Sequence, residues 1–175
     1  MKTPSAWLAL VAVSAFFSTP VFAQEGGIAI GPRGASLFAE FSAARTGQGE
    51  GVIFGGSGGG YYQGSVVGFF ARATALPSNG QNRIYDAVAG PRLAVSLPLL
   101  RVFLEAGGGM GHAGNYNGPA EGSSWGAAWQ ADAGVSHGLG PRLDWRILDV
   151  GYGHVYASGG VSPVVASTGL TLHLW

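Results

Sequence analysis

The sequence has no cysteine and almost no lysine. Without cysteine the chain can form neither a disulfide scaffold nor a catalytic thiol, although an exported protein could have used disulfides. Lys2 is the one lysine among nine lysine and arginine residues, and nine acidic residues bring the formal net charge to zero. Because the charge is balanced and no basic patch is present, we expect no nucleic-acid partner.

Charge of either sign is also scarce, and long apolar runs are missing. Charged residues make up 10% of the chain, whereas soluble protein surfaces are usually about 25 to 35% charged. The chain therefore has too little charge to build a water-facing exterior. Beyond the N-terminal region, no segment approaches the roughly 20 consecutive apolar residues of a transmembrane helix. If this protein lies in a membrane, it must cross the membrane as a β-barrel.

The N-terminal stretch "MKTPSAWLALVAVSAFFSTPVFAQEGG" has the features of a secretory signal peptide. Lys2 precedes an apolar run from Trp7 to Phe17, and small residues lead to Ala23. This order predicts a signal peptide over residues 1–23, cleavage before Gln24 and a single mature domain over residues 24–175. A membrane anchor is disfavoured because the run is too short to span and a polar, glycine-containing segment follows it.

Glycine is abundant, with 32 residues interleaved among aromatic and aliphatic side chains. Such a composition disfavours helices. Segments that alternate apolar and polar residues recur at short intervals, which predicts β-strands. We predict an all-β fold, an eight-stranded antiparallel up-and-down transmembrane β-barrel. The expected strands are about Arg33–Arg45, Val52–Gln63, Ser65–Leu76, Asn82–Leu97, Leu99–His112, Ser123–His137, Leu143–Tyr156 and Pro163–Trp175.

The connections between these segments alternate in length. Longer ones rich in Gly, Asn, Ser and Pro lie near 46–51, 77–81, 113–122 and 157–162, and tighter ones lie near 64, 98 and 138–142. Long loops at one end and short turns at the other are typical of outer-membrane barrels. We therefore expect the loops outside the cell and both termini on the periplasmic side.

The stretch "SSWGAAWQADAGVSHG" shows the two faces that recur in the other segments. Trp125 and Trp129 share one face, and Gln130 and Asp132 share the other. We predict that the apolar faces meet lipid and the polar faces line a narrow lumen, where buried charges need partners. For Asp132 the first candidates are Arg101 and Arg146. The expected lumenal ion-pair network comprises Glu40, Arg72, Asp86, Arg92, Arg101, Glu105, Asp132, Asp144, Arg146 and Asp149.

Aromatic residues near the segment ends predict interfacial girdles. Trp125, Tyr152 and Tyr156 lie toward the loop end, and Trp145 and the terminal Trp175 lie toward the turn end. Tryptophan and tyrosine favour the two membrane–water interfaces. The expected interfacial aromatic residues are Trp125, Trp129, Trp145, Tyr152, Tyr156 and Trp175.

Two places break the alternation. In "LDWRILDVGYGHVY" the apolar face shifts by one residue, which predicts a β-bulge near Ile147. Pro91 removes a hydrogen-bond donor inside the fourth segment, which predicts either another bulge or a shorter strand.

The chain resembles small bacterial outer-membrane β-barrel proteins of the OmpA or OmpX kind. The resemblance lies in the signal peptide, the eight alternating runs, "GPRLAVSLPLLRVFLEAGGG", "GPRLDWRILDVGYGHVY" and the C-terminal "STGLTLHLW". It implies residence in the cell outer membrane of a Gram-negative bacterium. It also implies contact with the barrel-assembly machinery, which reads a terminal aromatic residue, here supplied by Trp175.

We expect a non-catalytic, monomeric protein with a structural or surface-interaction role, without cofactor or metal. The loop near 113–122 is the longest candidate for contact with an extracellular ligand, which the sequence does not identify. The four histidines lack ligand spacing. Deacylase-type barrels place His and Ser two residues apart, whereas the position two residues after His154 is Tyr156 here. The alternatives are a narrow, porin-like pore, a lipid-modifying barrel enzyme and a soluble exported ligand-binding barrel.

Overall fold

The computed structural model describes residues 33–46, 51–77, 82–115, 124–157 and 160–174 of the 175-residue chain. The predicted signal peptide, its cleavage site and Trp175 lie outside these residues. The described residues form eight strands, numbered in chain order. They are β1 (Gly34–Arg45), β2 (Ile53–Gln63), β3 (Val67–Leu76), β4 (Asn82–Ser96), β5 (Arg101–Asn115), β6 (Ser124–Gly138), β7 (Leu143–Val155) and β8 (Val164–His173).

The strands pair antiparallel with their chain neighbours, and β8 pairs with β1 to close the barrel. Closure leaves no unpaired strand edge. The predicted fold, an eight-stranded antiparallel barrel, is confirmed. Among the described residues, no helix is long and apolar enough to span a membrane.

The barrel has two distinct ends. At the turn end the strands are joined by residues 64–66, 97–100 and 139–142. At the loop end they are joined by the longer segments 46–52, 77–81, 116–123 and 156–163. The strand β5 continues to Asn115, so Ala113 and Gly114 belong to the strand and the predicted loop is shorter than expected. The rest of that loop lies outside the described residues.

The predicted bulge in β7 is present. Val135 pairs with Leu148 and Ser136 pairs with Arg146, so Ile147 is left without a partner on β6. The register with β8 shifts at the same place. Arg146 and Asp149 are three residues apart, and regular alternation would place their side chains on opposite faces of the strand. The extra residue in the bulge lets both side chains point inward.

The expectation for Pro91 was wrong. The strand β4 continues through Pro91 to Ser96, and its register with β3 is unbroken. Pairing with β5 skips Gly90 and Pro91 and then resumes in the same register. The missing donor therefore interrupts one ladder locally, because the intact ladder with β3 holds the strand in place.

The interior is filled by side chains in three zones. Near the loop end the described inward side chains form a buried apolar layer, and we name it the apolar cap. A network of charged side chains occupies the middle, and polar side chains occupy the turn end. The apolar cap consists of Ala44, Leu76, Ile84, Val88, Ala113, Ala128, Val155, Ala157 and Val165.

Candidate functional site: the charged lumen

Arg72 on β3 lies at the centre of the lumenal charges. Its Nη1 is 2.9 Å from Asp132 Oδ1, and its Nη2 is 2.8 Å from Glu105 Oε2 and 2.6 Å from Asp149 Oδ2. Glu40 lies further away, at 3.9 Å. One guanidinium thus joins carboxylates from four other strands, because it has five donors in a fixed fork and eight strands leave a lumen only wide enough for side chains.

Two further arginines complete the network. Arg146 Nε is 2.6 Å from Glu40 Oε1, and its Nη2 is 2.7 Å from Asp149 Oδ2. Arg92 pairs with the other oxygen of Glu105 and also donates to Gln63. The charge network is therefore formed by Glu40, Arg72, Arg92, Glu105, Asp132, Arg146 and Asp149, all of which are buried.

Aromatic rings cover the faces of the same guanidinium groups. The Arg92 guanidinium lies 4.0 Å from the Tyr61 ring centroid and 4.3 Å from that of Phe103. Arg146 lies between Phe38 and Phe103, at 4.4 Å and 4.3 Å. Carboxylates bind the edges of these groups while rings stack on their faces. The sequence reasoning missed these inward rings because it treated aromatic residues as lipid-facing.

The expected partners of Asp132 were wrong. Asp132 pairs with Arg72, which lies across the lumen, and Arg101 and Arg146 pair with other carboxylates. In the register of the sheet, Asp132 lies between Glu105 on β5 and Gly151 on β7. At that level β5 therefore presents a like charge and β7 presents no side chain. The compensating cation comes from β3, which is not a neighbour of β6.

A separate polar cluster lies at the turn end. Asp144 Oδ2 is 2.5 Å from Arg101 Nη1 and 3.0 Å from His173 Nε2, and His173 Nδ1 is 2.9 Å from Ser36 Oγ. This order of hydroxyl, imidazole and carboxylate resembles a nucleophilic triad. The Ser36 side chain is buried, however, with 3% of its surface exposed. The cluster links β1, β5, β7 and β8 at this end of the barrel.

All ten predicted lumenal residues lie on the inward face, but not all join one network. Arg101 and Asp144 belong to the turn-end cluster. Asp86 is half-buried opposite Thr74 near the loop end, and within the described residues it forms no ion pair with an arginine. No described group of three or more His, Asp or Glu side chains could hold a metal ion.

The outward face between the barrel ends is apolar. Leu37, Phe41, Phe69 and Met110 are each more than half exposed. Among the described residues, every Asp and Glu side chain points into the barrel, and the charged residues outside the lumen are arginines near the two ends. The outward-facing or end-placed arginines are Arg33, Arg45, Arg83 and Arg142.

The predicted interfacial aromatic residues that the structure describes lie on the outward face. Trp125 and Tyr156 lie at the loop end, and Trp129 packs edge-on against Tyr152, with ring centroids 5.7 Å apart. Trp145 lies near the turn end and donates from Nε1 to Thr168 Oγ1. Outward rings that the predicted interfacial set left out also lie at the two ends of the barrel, among them Tyr62, Tyr85 and His112.

His154 has a hydroxyl partner that the sequence did not reveal. Its Nδ1 is 2.7 Å from Ser162 Oγ, because Val155 and Val161 pair and bring the two arms of the β7–β8 connection together. The imidazole also packs edge-on against the Tyr156 ring, with ring centroids 4.3 Å apart. Within the described residues, no carboxylate is hydrogen-bonded to this imidazole, so the pair lacks the third group that orients a catalytic base.

No protein-family description matches the chain, and no curated protein is significantly similar to it. Neisserial surface protein A aligns at 15% identity over 80% of this chain and 96% of its own, with a TM-score of 0.64. The N-terminal β-barrel domain of Pseudomonas aeruginosa OprF aligns at 16% identity over 81% and 100%, with a TM-score of 0.52. This chain has the fold of the small eight-stranded outer-membrane barrels.

The outer membrane enzyme PagL also aligns with this barrel, at 14% identity over 78% of this chain and 99% of its own. Its TM-score is 0.47. A likeness at that level carries no inference about activity, so the question of catalysis depends on the side chains of this barrel.

Proposed function

We propose that this protein is a sealed, non-catalytic barrel of the bacterial outer membrane, with a structural or surface-interaction role. The observation that carries the proposal is the distribution of polarity. Buried arginines and carboxylates fill the lumen, while large apolar side chains cover the outward face between the barrel ends. Soluble domains do not expose an apolar belt of this extent, whereas a bilayer requires one.

In this proposal the loop end of the barrel faces the outside of the cell, and both ends of the chain lie on the periplasmic side. The turns at the other end are short, as in outer-membrane barrels. The protein is exported by its signal peptide, inserted by the barrel-assembly machinery and present as a monomer. Surface interaction then depends on the loops, because connecting segments carry most binding functions on rigid scaffolds.

The test is the gel mobility of the protein from an outer-membrane fraction, unheated and boiled. A membrane barrel resists SDS until it is heated, so we expect the two samples to migrate differently. Recovery of the native protein in a detergent-free periplasmic extract would instead support the soluble ligand-binding barrel.

A pore is the main alternative, and the packing of the lumen opposes it. The apolar cap occupies the loop end of the described lumen, and the charge network fills the middle. Conduction needs a continuous water path. We therefore expect no steady conductance from the refolded protein in planar bilayers, and discrete current steps would replace our proposal with the pore.

The absence of catalysis is part of the proposal. The accessible candidate is the His154–Ser162 pair, which has no orienting carboxylate among its contacts. We expect Ser162→Ala to leave the lipid composition of the outer membrane unchanged relative to the unaltered protein. Accumulation of an acylated lipid that the unaltered protein removes would instead identify an acyl hydrolase.

A further inference from the structure

The charge network of the lumen contains more carboxylates than guanidinium groups. Among the described residues no other arginine joins it, because Arg101 pairs with Asp144 at the turn end. The network therefore has one negative charge in excess when every group is ionised. Its carboxylates belong to Glu40, Glu105, Asp132 and Asp149, and its guanidinium groups belong to Arg72, Arg92 and Arg146.

The excess charge lies where an unpaired ion is strongly unfavourable. Every member of the network is buried, and a buried group without a counter-ion becomes neutral by gaining or losing a proton. Arginine keeps its proton in proteins, so the change must fall on a carboxylate. A metal ion could supply the missing charge instead, but no described group of three or more His, Asp or Glu side chains could hold one.

Asp132 has the weakest cationic surroundings in the network. Glu40, Glu105 and Asp149 each lie within ion-pair distance of at least two guanidinium groups. Among the described residues, Asp132 has such a contact with Arg72 alone. Its register partner on β5 is Glu105, which is a like charge. Asp132 is therefore the carboxylate that gains most from becoming neutral.

The hydrogen bonds of Asp132 distinguish its two oxygens. Arg72 Nη1 and Gln130 Nε2 both donate to Oδ1, at 2.9 Å and 2.6 Å. Oδ2 is buried and has no hydrogen-bond partner among the described residues. Asp149 also has an oxygen without a partner, but two guanidinium groups bind its other oxygen. A protonated carboxyl has one carbonyl oxygen that accepts and one hydroxyl, which is the pattern at Asp132.

We infer that Asp132 carries a proton on Oδ2 in the folded barrel at neutral pH, so that the lumen binds a proton which the unfolded chain releases. The inference goes beyond the proposed function, because it depends on the closed lumen and not on where the barrel resides. The charged and titratable side chains around this site are Glu40 of β1, Tyr61 of β2, Arg72 of β3, Arg92 of β4, Glu105 of β5, and Arg146 and Asp149 of β7.

The bound proton makes the stability of the barrel depend on pH. A solvated aspartate has a pKa of about 3.9, so the unfolded chain does not hold this proton at neutral pH. Because the folded state binds one proton more, stability is greater on the acid side and is lost as the pH rises. Until Asp132 ionises, the equilibrium constant for unfolding should increase about tenfold per pH unit.

The direct test is the infrared spectrum of the full barrel, refolded in neutral detergent micelles at neutral pH. The carbonyl stretch of a protonated carboxyl is separate from the bands of ionised carboxylates. We expect one such band to disappear in Asp132→Asn and to remain in Asp86→Asn. Asp86 is the matched control because it is an inward aspartate outside the charge network. Absence of the band from the unaltered protein, or its persistence in Asp132→Asn, would overturn the inference.

Denaturant titration at several pH values provides the second test. Asparagine has the shape and neutrality of a protonated aspartate, so Asp132→Asn should fold, remain about as stable as the unaltered protein at neutral pH, and lose the tenfold dependence. Failure of Asp132→Asn to fold, or an unchanged pH dependence, would show that Asp132 is ionised. Stability that rises with sodium but not with choline at equal ionic strength would assign the compensating charge to a metal cation and overturn the inference.

Discussion

At the scale of the residue, the lumen depends on arginine as a planar group and not only as a charge. Arg92 and Arg146 each lie against two aromatic rings while their nitrogens bind carboxylates. A lysine ammonium presents no flat face and no fork. This requirement fits a chain whose one lysine lies in the predicted signal peptide.

The first prediction concerns Arg146→Lys. The change keeps the positive charge but removes the stacking on Phe38 and Phe103 and one arm of the ion pairs. We expect the free energy of unfolding to fall by about 2 kcal/mol or more, as measured by denaturant titration of the protein in lipid vesicles. Arg142→Lys, at an exposed turn, should have no measurable effect, and equal stability of the two variants would contradict the stacking role.

The second prediction concerns the inward glycines that make room for rings. A methyl group at Gly134 would collide with the Phe103 ring, whereas one at the outward Gly108 would have Ala128 O as its nearest neighbour, at 3.8 Å. Overpacking a filled interior costs about 1 to 3 kcal/mol. We expect Gly134→Ala to lower the unfolding midpoint and Gly108→Ala to leave it unchanged.

At the scale of the element, β7 contains one extra residue at its bulge, and the side chains on either side of the bulge still point to the faces that the barrel requires. Ile147 is unpaired on both sides of the strand, while Arg146 and Asp149 contribute to the same network. The side chains before and after the bulge alternate regularly between the two faces, so the bulge shifts the alternation by one residue and no more.

This geometry gives the third prediction. Deleting Ile147 should leave a regular strand in which every remaining β7 side chain keeps its face, and the heat-dependent gel shift should persist. Deleting Val150 from the regular part should turn the following residues to the opposite faces and abolish the folded band. Loss of the band in both deletions would show that the bulge itself is needed for closure.

At the scale of the whole molecule, the apolar exterior and the charged interior are two consequences of one closed sheet. Successive side chains of a strand point to opposite faces. A barrel in lipid therefore needs the reverse of a soluble protein, with its charges paired inside.

The fourth prediction tests this inversion. Ala89 is exposed at the middle of β4, on the outward face. Ala89→Arg should destabilise the protein in lipid vesicles by about 2 to 4 kcal/mol, the cost of an arginine at the bilayer midplane. Ser65→Arg, in a turn at the barrel end, should cost less than about 1 kcal/mol. A neutral Ala89→Arg variant would indicate that this face meets water.

The alternation of apolar and polar residues in the sequence predicts the strands and their two faces with few errors. The strand bounds differ by at most three residues, and the bulge at Ile147 follows from a phase change that is visible in the sequence. The prediction of a bulge or a shorter strand at Pro91 was wrong, because the sequence shows a missing hydrogen-bond donor but not the unbroken ladder with β3 that keeps β4 in register.

The sequence by itself determined which side chains share a face, because alternation is a local property of a strand. It therefore supplied the barrel, the outward-facing tryptophans and the inward charges. Only the tertiary structure decided which charges meet. Closing the sheet brings Arg72 of β3 to Asp132 of β6 and His173 of β8 to Ser36 of β1. Those distances depend on the radius and stagger of the closed barrel, which no single strand encodes.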